Sequence, residues 1–272
     1  MALVLEWLAG DYYQWIVDNR DNRSLDLPFM ESPWPVMGIL ISYLYVVLRA
    51  GPRYMEKRKP YDLRNIIRIY NIAQVVLNAL LCVTIGSTMW ARDDFDWKCQ
   101  LIDYSATPAG MREMRMAYYY FLLKILDLAD TVFFVLRKKQ SHVSFLHVYH
   151  HALMVFVTFW AVMFSPGGHG YLLGVWNTLV HAVMYYYYYR ASYGDESAVW
   201  WKKYLTRLQL VQFVHLGCHF MIAIVMGSDC KYSKFWSWVA LSQACIILAM
   251  FLNFYIKTYR KSETPKPVEK TN

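Results

Sequence analysis

The chain has 272 residues, of which 57% are hydrophobic, 18% aromatic and only 18% charged. A soluble globular domain normally carries about 25% charged residues, so this composition predicts an integral membrane protein with small loops and no separate soluble domain. The net charge of +8 could indicate nucleic-acid binding, but the basic residues cluster at the ends of apolar segments. Membrane orientation and anionic headgroups or substrates account for that placement better, and we predict no nucleic-acid partner.

Residues 1–33 mix aromatic and acidic residues, without the basic region and long apolar core of a cleaved signal peptide. We predict a lumenal or interfacial segment, amphipathic and lying at the membrane surface. The next part, residues 34–256, contains apolar segments long enough to cross a bilayer and predicts an all-α domain of seven transmembrane helices. Their expected bounds are 34–50, 65–91, 115–136, 142–164, 169–190, 205–227 and 235–256. Residues 257–272 are predicted to form a cytosolic basic tail, disordered from residue 262.

The basic residues also predict the orientation of the chain. They concentrate after the first, third, fifth and seventh spans, whereas the loop over residues 92–114 is acidic. The positive-inside rule then places the C-terminus in the cytosol and the N-terminus outside or in a lumen. On that side, Asn22 of Asn22-Arg23-Ser24 is a candidate glycosylation acceptor. Cys99 and Cys230 fall in lumenal loops, and because a lumen is oxidising we predict a disulfide between them.

Polar side chains interrupt the apolar spans at a few positions. Helical spacing of three or four residues places Asp127 beside Asp130, and His147 beside His150 and His151. Such groups are costly in a bilayer and should face the protein interior or a wet cavity. At about 1.5 Å per residue, four spans place polar groups at one depth, roughly 10–14 Å below the cytosolic surface. The groups at that depth are Asp130, His147, His150, His151, Asn177, His181, Gln209 and Gln212. We therefore expect a cavity open to the cytosol, with an apolar tunnel beyond it.

Four motifs follow one another along the chain. They are Lys124-x-x-Asp127-x-x-Asp130-Thr131, His147-x-x-His150-His151, Asn177-x-x-x-His181-x-x-Met184-Tyr185-x-Tyr187-Tyr188 and Gln209-x-x-Gln212-Phe213. Over residues 28–260 the sequence resembles the very-long-chain fatty acid elongases (the ELO family). The resemblance implies an endoplasmic reticulum 3-ketoacyl-CoA synthase with seven helices, six of them enclosing an acyl tunnel. It would join a long-chain acyl-CoA to malonyl-CoA and release CO2 and CoA, the first step of elongation. Asp127 departs from the family, which more often has Glu there.

A Claisen condensation of this kind needs an activated acyl group, a carbanion made by decarboxylating malonyl-CoA, and oxyanion stabilisation. No cysteine lies beside the histidine box. Our hypothesis is that a neutral His150 attacks the acyl thioester and forms an acyl-imidazole, while Asp130 accepts a hydrogen bond from the other ring nitrogen. His181 would transfer a proton or hold the malonyl thioester oxygen.

The other polar residues receive supporting roles. His147 and His151 would orient their neighbours or bind the malonyl carboxylate, and Asn177 and Gln212 would donate to the oxyanion. Asp127 has two possible roles that the sequence does not separate. One is a catalytic role, and the other is a purely structural pairing with Lys124. Lys124, Gln209, Gln212 and Tyr185 are candidate substrate-binding residues, and Lys138, Lys139, Lys202, Lys203 and Arg207 suit the phosphates of CoA.

Two alternative functions remain open, a metal-dependent membrane oxygenase and a receptor. Membrane desaturases and hydroxylases hold two irons with several histidine boxes, but they need more ligands than His147, His150, His151 and His181 supply. The further pair His215-x-x-x-His219 lies toward the lumen, and we expect both to be hydrogen-bonded structural histidines, so we predict no metal and no other cofactor. A seven-helix receptor is the non-enzymatic alternative, but it does not explain a clustered histidine box. The sequence leaves open the acyl length, the oligomeric state (a homodimer among the forms) and binding of other elongation-cycle enzymes.

Overall fold

A computed structural model describes residues 2–194 and 197–260 of the chain. This described part is built from helices and contains no strand. The helices are α1 (Ala2–Asn19), α2 (Trp34–Tyr45), α3 (Gly51–Met55), α4 (Arg64–Trp90), α5 (Pro108–Leu136), α6 (Phe145–Phe164), α7 (Tyr171–Ala191), α8 (Ser197–Val225) and α9 (Lys234–Tyr255). A π-helical segment, Val46–Ala50, joins α2 to α3, and another, Ile256–Arg260, continues α9. The start of the predicted basic tail is therefore helical, and residues 261–272 lie outside the described residues.

Five stretches of the described chain are long and apolar enough to cross a membrane. They are Trp34–Met55, Arg64–Trp90, Phe145–Phe164, Trp200–Val225 and Lys234–Tyr259. The chain is thus an all-helical protein of the multi-pass membrane type. The other two predicted spans correspond to α5 and α7, which are long enough at 29 and 21 residues but are not among these five stretches. Since α5 carries four buried charged residues and α7 a run of tyrosines, the crossing by these two helices stays a prediction.

Helix starts follow capping chemistry rather than the edges of the apolar segments. Thr107 accepts a hydrogen bond from Gly110 N at the start of α5, and Ser144 accepts one from His147 N at the start of α6. Such hydroxyl caps satisfy backbone donors that have no partner in the first turn of a helix. The fourth predicted span therefore begins as a helix at Phe145, and His142 lies in the preceding 3-10 turn.

The first compact unit comprises residues 1–60 and 101–170. Within it α5 packs on α6, α2 on α6, and α3 on α5. Phe121 and Phe159 are fully buried where α5 meets α6, with ring centroids 5.9 Å apart. This contact fixes α5 beside α6, the two helices that carry the first two sequence motifs.

Arg23 ties the segment after α1 to the rest of this unit. Its guanidinium donates to the Asp21 carboxylate and to the carbonyls of Asp103 and Ser105, and the hydrogen bond to Asp21 raises the pKa of Arg23. Ser24 is buried, and its hydroxyl donates to the Asp21 carbonyl. The Asn22 side chain itself is exposed, and its glycosylation stays a prediction.

The second compact unit comprises residues 61–100 and 171–272. In it α4 packs along α7, and α8 packs on both α7 and α9. At one end of the α4–α7 pair the Arg68 guanidinium donates to the hydroxyl and carbonyl of Ser192, at 3.2 and 3.0 Å, and lies over the Tyr193 ring. These contacts fix the start of α4 against the turn that follows α7.

A disulfide closes the second unit at the other ends of its helices. Cys99 and Cys230 are bonded, with Cα atoms 5.5 Å apart, and they are the pair that the sequence analysis predicts. The bond joins the segment after α4 to the segment after α8. Cys82, Cys218 and Cys245 are free cysteines.

Replacing Cys99 by Ser is expected to lower the free energy of unfolding by about 2–5 kcal/mol, because the open chain regains conformational entropy in the unfolded state. Thermal unfolding of the detergent-solubilised protein measures this. Cys218→Ser, at an exposed free thiol, is the matched control and should unfold like the original chain. Peptide mapping that found Cys99 and Cys230 as free thiols would contradict the pairing.

Candidate functional site

Lys124 and Asp127 form a buried ion pair within α5. The Lys124 Nζ lies 2.7 Å from Asp127 Oδ2, and the two side chains are 1% and 2% exposed. The ammonium also lies 5.0 Å from the centre of the Tyr120 ring. Charges in an apolar interior are stable only when they are paired. The pairing that we gave as the alternative to a catalytic Asp127 is therefore present in the first unit.

The histidine box lies on α6 of the same unit. His147 and His151 have ring centroids 4.2 Å apart, and those of His150 and His151 are 5.7 Å apart. His151 is buried, while His147 and His150 are partly buried. The three rings thus form one cluster on α6, as the i, i+3 and i+4 spacing predicts.

A chain of hydrogen bonds connects this cluster to two other helices. His147 Nε2 lies 2.9 Å from the Thr131 hydroxyl of α5, which lies 2.8 Å from the Tyr43 hydroxyl of α2. Tyr43 also lines an apolar groove of about 540 Å³ formed by α2 and α5. A hydrogen bond to one ring nitrogen sets the orientation and tautomer of an imidazole, so this chain holds the His147 ring in place.

His150 differs from His147 in its contacts. Its Nδ1 is buried and has no hydrogen-bond partner in the described part of the chain. The ionisable groups that act on His150 are Lys124, His147 and Asp127. Asp130, expected to accept a hydrogen bond from the His150 ring, is also buried, but it does not accept one from Nδ1. The Asp127 carboxylate lies on α5, which packs on the helix that carries His150, and it is paired there with Lys124.

The basic turn after α5 lies at one end of the first unit. Lys138 is exposed and donates from Nζ to the carbonyl of Glu56, 3.1 Å away, just after α3. Lys139 is exposed too. The loss of some of its surrounding water to neighbouring protein atoms, together with the charge of Arg137, lowers the pKa of Lys139. These cations lie at the surface, where a solvated anion can reach them.

The third and fourth motifs lie in the second unit. Asn177 and His181 on α7 and Gln212 on α8 are buried, and Tyr185 is completely so. The Tyr185 ring contacts the His181 ring edge-on, with centroids 5.9 Å apart. Gln209 Nε2 lies 3.9 Å from the Met184 sulfur. The helical spacing of the third motif therefore brings His181 and Tyr185 together, as predicted for residues one turn apart.

Arg207, Lys202 and Lys203 lie on α8. Arg207 donates from Nε to the Tyr255 hydroxyl at 2.9 Å, and its guanidinium lies over the rings of Tyr204 and Tyr255. Lys202 is exposed and Lys203 is partly buried. Arg207 is thus held against α9, and Lys202 is more accessible than Lys203.

Sequence reasoning missed several polar residues that the structure places beside the motifs. Tyr43 on α2 contacts Thr131, and Gln74 and Asn78 on α4 lie within a buried network that includes Tyr185. The signal for the two amides was present, because polar side chains three or four residues apart in an apolar span indicate a site.

The second histidine pair has a different environment from the box on α6. His215 is exposed, and its Nδ1 accepts a hydrogen bond of 2.8 Å from the Trp176 indole. This fits the structural role that we expect for it. His219 is buried. Within residues 2–194 and 197–260, no group of three or more His, Cys, Asp or Glu side chains is placed to hold a metal ion.

Comparison with known proteins gives one consistent result. The profile of the ELO family, described as GNS1/SUR4, matches residues 28–267, which include both sets of polar residues. The chain is 40% identical over 266 residues to a very long chain fatty acid elongase of Aedes aegypti, covering 97% of this chain and 73% of that protein. It is 38% identical over 265 residues to very long chain fatty acid elongase 7 of Rattus norvegicus, covering 96% and 93%. Very long chain fatty acid elongase 1 of Homo sapiens is 35% identical over 259 residues, covering 92% and 90%.

Proposed function

The chain belongs to the ELO (GNS1/SUR4) family, and from that premise we propose that it condenses a long-chain acyl-CoA with malonyl-CoA. The products are 3-ketoacyl-CoA, CO2 and CoA, as in the first step of very-long-chain fatty acid elongation. The alignments to proteins named as very long chain fatty acid elongases cover most of the chain, which supports the reaction class. The observation that supports the chemistry is a three-histidine cluster on α6, together with a buried Lys124–Asp127 ion pair on α5, the helix that packs on α6.

We assign the first half of the reaction to His150. A neutral ring nitrogen attacks the acyl carbonyl carbon, the C–S bond breaks, and CoA leaves as a thiolate that takes up a proton. Malonyl-CoA then loses CO2, and the electron pair of the broken C–C bond stays on its α-carbon. That carbon attacks the acyl-imidazole, and the His150 nitrogen leaves with its electron pair, so the enzyme is regenerated.

The contacts of the histidines support this choice of nucleophile. His147 is engaged with Thr131 through Nε2, whereas His150 has a ring nitrogen without a partner among the described residues. A nucleophilic imidazole needs a lone pair that no hydrogen bond occupies. His147 therefore suits an orienting role and His150 the covalent one.

We propose that Lys124 stabilises the negative charge that develops on the acyl oxygen. Its ammonium is buried, and a fixed charge acts more strongly in a medium of low dielectric constant. Asp127 holds the ammonium at 2.7 Å and so keeps it in one position. Asp130 and His151, both buried in the same unit, complete the polar surroundings of the cluster.

We propose that the second set of polar residues binds malonyl-CoA. This set consists of Asn177, His181, Tyr185, Gln209 and Gln212. Their amide, imidazole and phenol groups can donate to a thioester oxygen or a carboxylate. The basic residues Lys138, Lys139, Lys202, Lys203 and Arg207 would bind the phosphates of CoA. The exposure of Lys138, Lys139 and Lys202 supports a role in binding a charged group from the solvent.

We further propose seven transmembrane spans in the endoplasmic reticulum membrane, a lumenal N-terminus, a cytosolic C-terminus and an acyl-chain tunnel open to the cytosol. The disulfide between Cys99 and Cys230 supports a lumenal position for the two loops that carry it, because disulfides persist in oxidising compartments. The clusters of basic residues on the opposite loops agree with this orientation.

A direct test is incubation of the purified, detergent-solubilised protein with a long-chain acyl-CoA and isotopically labelled malonyl-CoA. We expect labelled 3-ketoacyl-CoA, two carbons longer than the acyl donor, and an equal amount of CO2. An active preparation that instead requires reductant and oxygen, and contains stoichiometric iron, would overturn the proposal in favour of an oxygenase.

Thr131→Val is expected to reduce the rate of condensation about tenfold, because it removes the hydroxyl that connects His147 to Tyr43 without changing the side-chain volume. The measurement is the initial rate of 3-ketoacyl-CoA formation. Thr158→Val is the matched control, since the Thr158 hydroxyl donates to carbonyls of its own helix, α6. Equal rates for the two variants would contradict a role for the Tyr43–Thr131–His147 chain.

A further inference from the structure

Helix α4 carries three buried amide side chains that none of the family motifs includes. Asn71, Gln74 and Asn78 follow the i, i+3 and i+7 spacing of one helix face, and Gln74 and Asn78 are both 0% exposed. An amide in an apolar helix is costly unless it is hydrogen-bonded, so a hydrogen-bonded network of such groups in a membrane span is a candidate functional site. Within the second unit α4 packs along α7, so these groups lie where α7 can contact them.

Two of these amides, Asn78 and Gln74, donate hydrogen bonds one after the other. Asn78 Nδ2 donates to Gln74 Oε1 at 3.1 Å and to the Gln74 carbonyl at 2.9 Å. Gln74 Nε2 donates to the hydroxyl oxygens of Tyr70, at 3.0 Å, and of Tyr185, at 3.5 Å. The two phenol oxygens are 3.4 Å apart, and their rings meet edge-on. Donation therefore passes from Asn78 through Gln74 to the phenol oxygens of both Tyr70 and Tyr185, and either phenol can be the donor in the contact between them.

The direction of hydrogen-bond donation has a chemical consequence for Tyr185. An amide that donates to a phenolic oxygen occupies one acceptor position, and the hydroxyl hydrogen is then directed toward a different acceptor. Hydrogen bonds in a chain also polarise one another, which makes the last hydroxyl a stronger donor. The Tyr185 ring lies edge-on against the His181 ring, with centroids 5.9 Å apart, so the phenol is packed beside an imidazole on the same helix.

We propose that Gln74, held by Asn78, is a positioning residue for the condensation. It orients the Tyr185 hydroxyl so that its hydrogen is donated to the thioester carbonyl oxygen of malonyl-CoA. Negative charge develops on that oxygen in the transition state. This inference rests on the proposed condensing activity, which it extends to residues outside the motifs. The competing explanation is that the network only stabilises the packing of α4 on α7.

A double-mutant cycle in the full-length protein separates the two explanations. Gln74→Met removes the amide with little change in volume, and Tyr185→Phe removes only the hydroxyl. With both substrates saturating, we expect Tyr185→Phe to lower kcat by about tenfold or more, and Gln74→Met by about fivefold to tenfold. The KM for malonyl-CoA should change by less than about twofold, because the contact matters in the transition state. In the Tyr185→Phe background, Gln74→Met should have no further effect on kcat.

Asn71→Leu is the matched control on the same helix face. The Nδ2 atom of Asn71 is buried without a hydrogen-bond partner in the described part of the chain. The Asn71→Leu substitution should therefore leave kcat unchanged. If Gln74→Met is not recovered as a folded protein, Asn78→Leu replaces it in the cycle, with the same expected dependence on Tyr185.

The result that overturns the positioning role is an equal loss of kcat on Gln74→Met in the presence and absence of the Tyr185 hydroxyl. A Tyr185→Phe variant with the original kcat would overturn it as well. In both cases the unsubstituted protein still forms 3-ketoacyl-CoA, and the proposed function stands. Failure of the unsubstituted protein to form that product would instead remove the proposed function, and this inference with it.

Discussion

His150→Ala is expected to reduce formation of 3-ketoacyl-CoA by more than about a thousandfold, because a covalent nucleophile has no substitute in the cluster. His147 is engaged with Thr131 and cannot take over that role without losing its hydrogen bond. The measurement is the initial rate of product formation at saturating acyl-CoA and malonyl-CoA. The fold should persist, because the buried Nδ1 of His150 has no hydrogen-bond partner among the described residues.

The matched control is His142→Ala, at an exposed histidine in the turn before α6 of the same unit. It should retain the rate of the original protein within about twofold. Retention of acyl transfer from acyl-CoA by His150→Ala would contradict the assignment of the nucleophile.

Breaking the Lys124–Asp127 pair is expected to have the largest effect on stability. Lys124→Met leaves the Asp127 carboxylate buried without its partner, and Asp127→Leu does the same to the ammonium. Each substitution should lower the free energy of unfolding by about 3–5 kcal/mol. The double substitution should recover most of this stability, because two apolar side chains replace two buried charges, but it should remain inactive.

Thermal unfolding of the three variants in detergent, read together with product formation, tests this expectation. A double variant that is as unstable as the sum of the two single ones would contradict the direct pairing, because independent effects add. A double variant with full activity would remove the proposed role of Lys124 in stabilising the oxyanion.

Long apolar spans were predictable from the sequence to within about one residue where polar residues bound them on both sides. The expected span 65–91 is α4, Arg64–Trp90, and the span 235–256 is α9, Lys234–Tyr255. In contrast, α5 begins at Pro108 rather than at residue 115, and α8 begins at Ser197 rather than at residue 205. Hydropathy locates the part of a helix that is apolar, whereas capping and packing extend it into polar sequence.

Within the candidate site, contacts inside one helix followed from the sequence and contacts between helices did not. The i, i+3 spacing of Lys124 and Asp127 indicated their pairing, and the spacing of His181 and Tyr185 indicated their contact. The hydrogen bond between Tyr43 and Thr131 joins residues 88 positions apart, and that from Gln74 to Tyr185 joins residues 111 positions apart. Such contacts depend on which helices pack together, and a single sequence does not contain that information.

The most direct test of the central claim is the intact mass of the protein after incubation with a long-chain acyl-CoA alone. An acyl-imidazole mechanism predicts a mass increase equal to one acyl group, absent from His150→Ala and lost again when malonyl-CoA is added. If no adduct forms while both substrates together still give 3-ketoacyl-CoA, the condensation proceeds in a single step. The assignment of His150 as a covalent nucleophile would then be wrong.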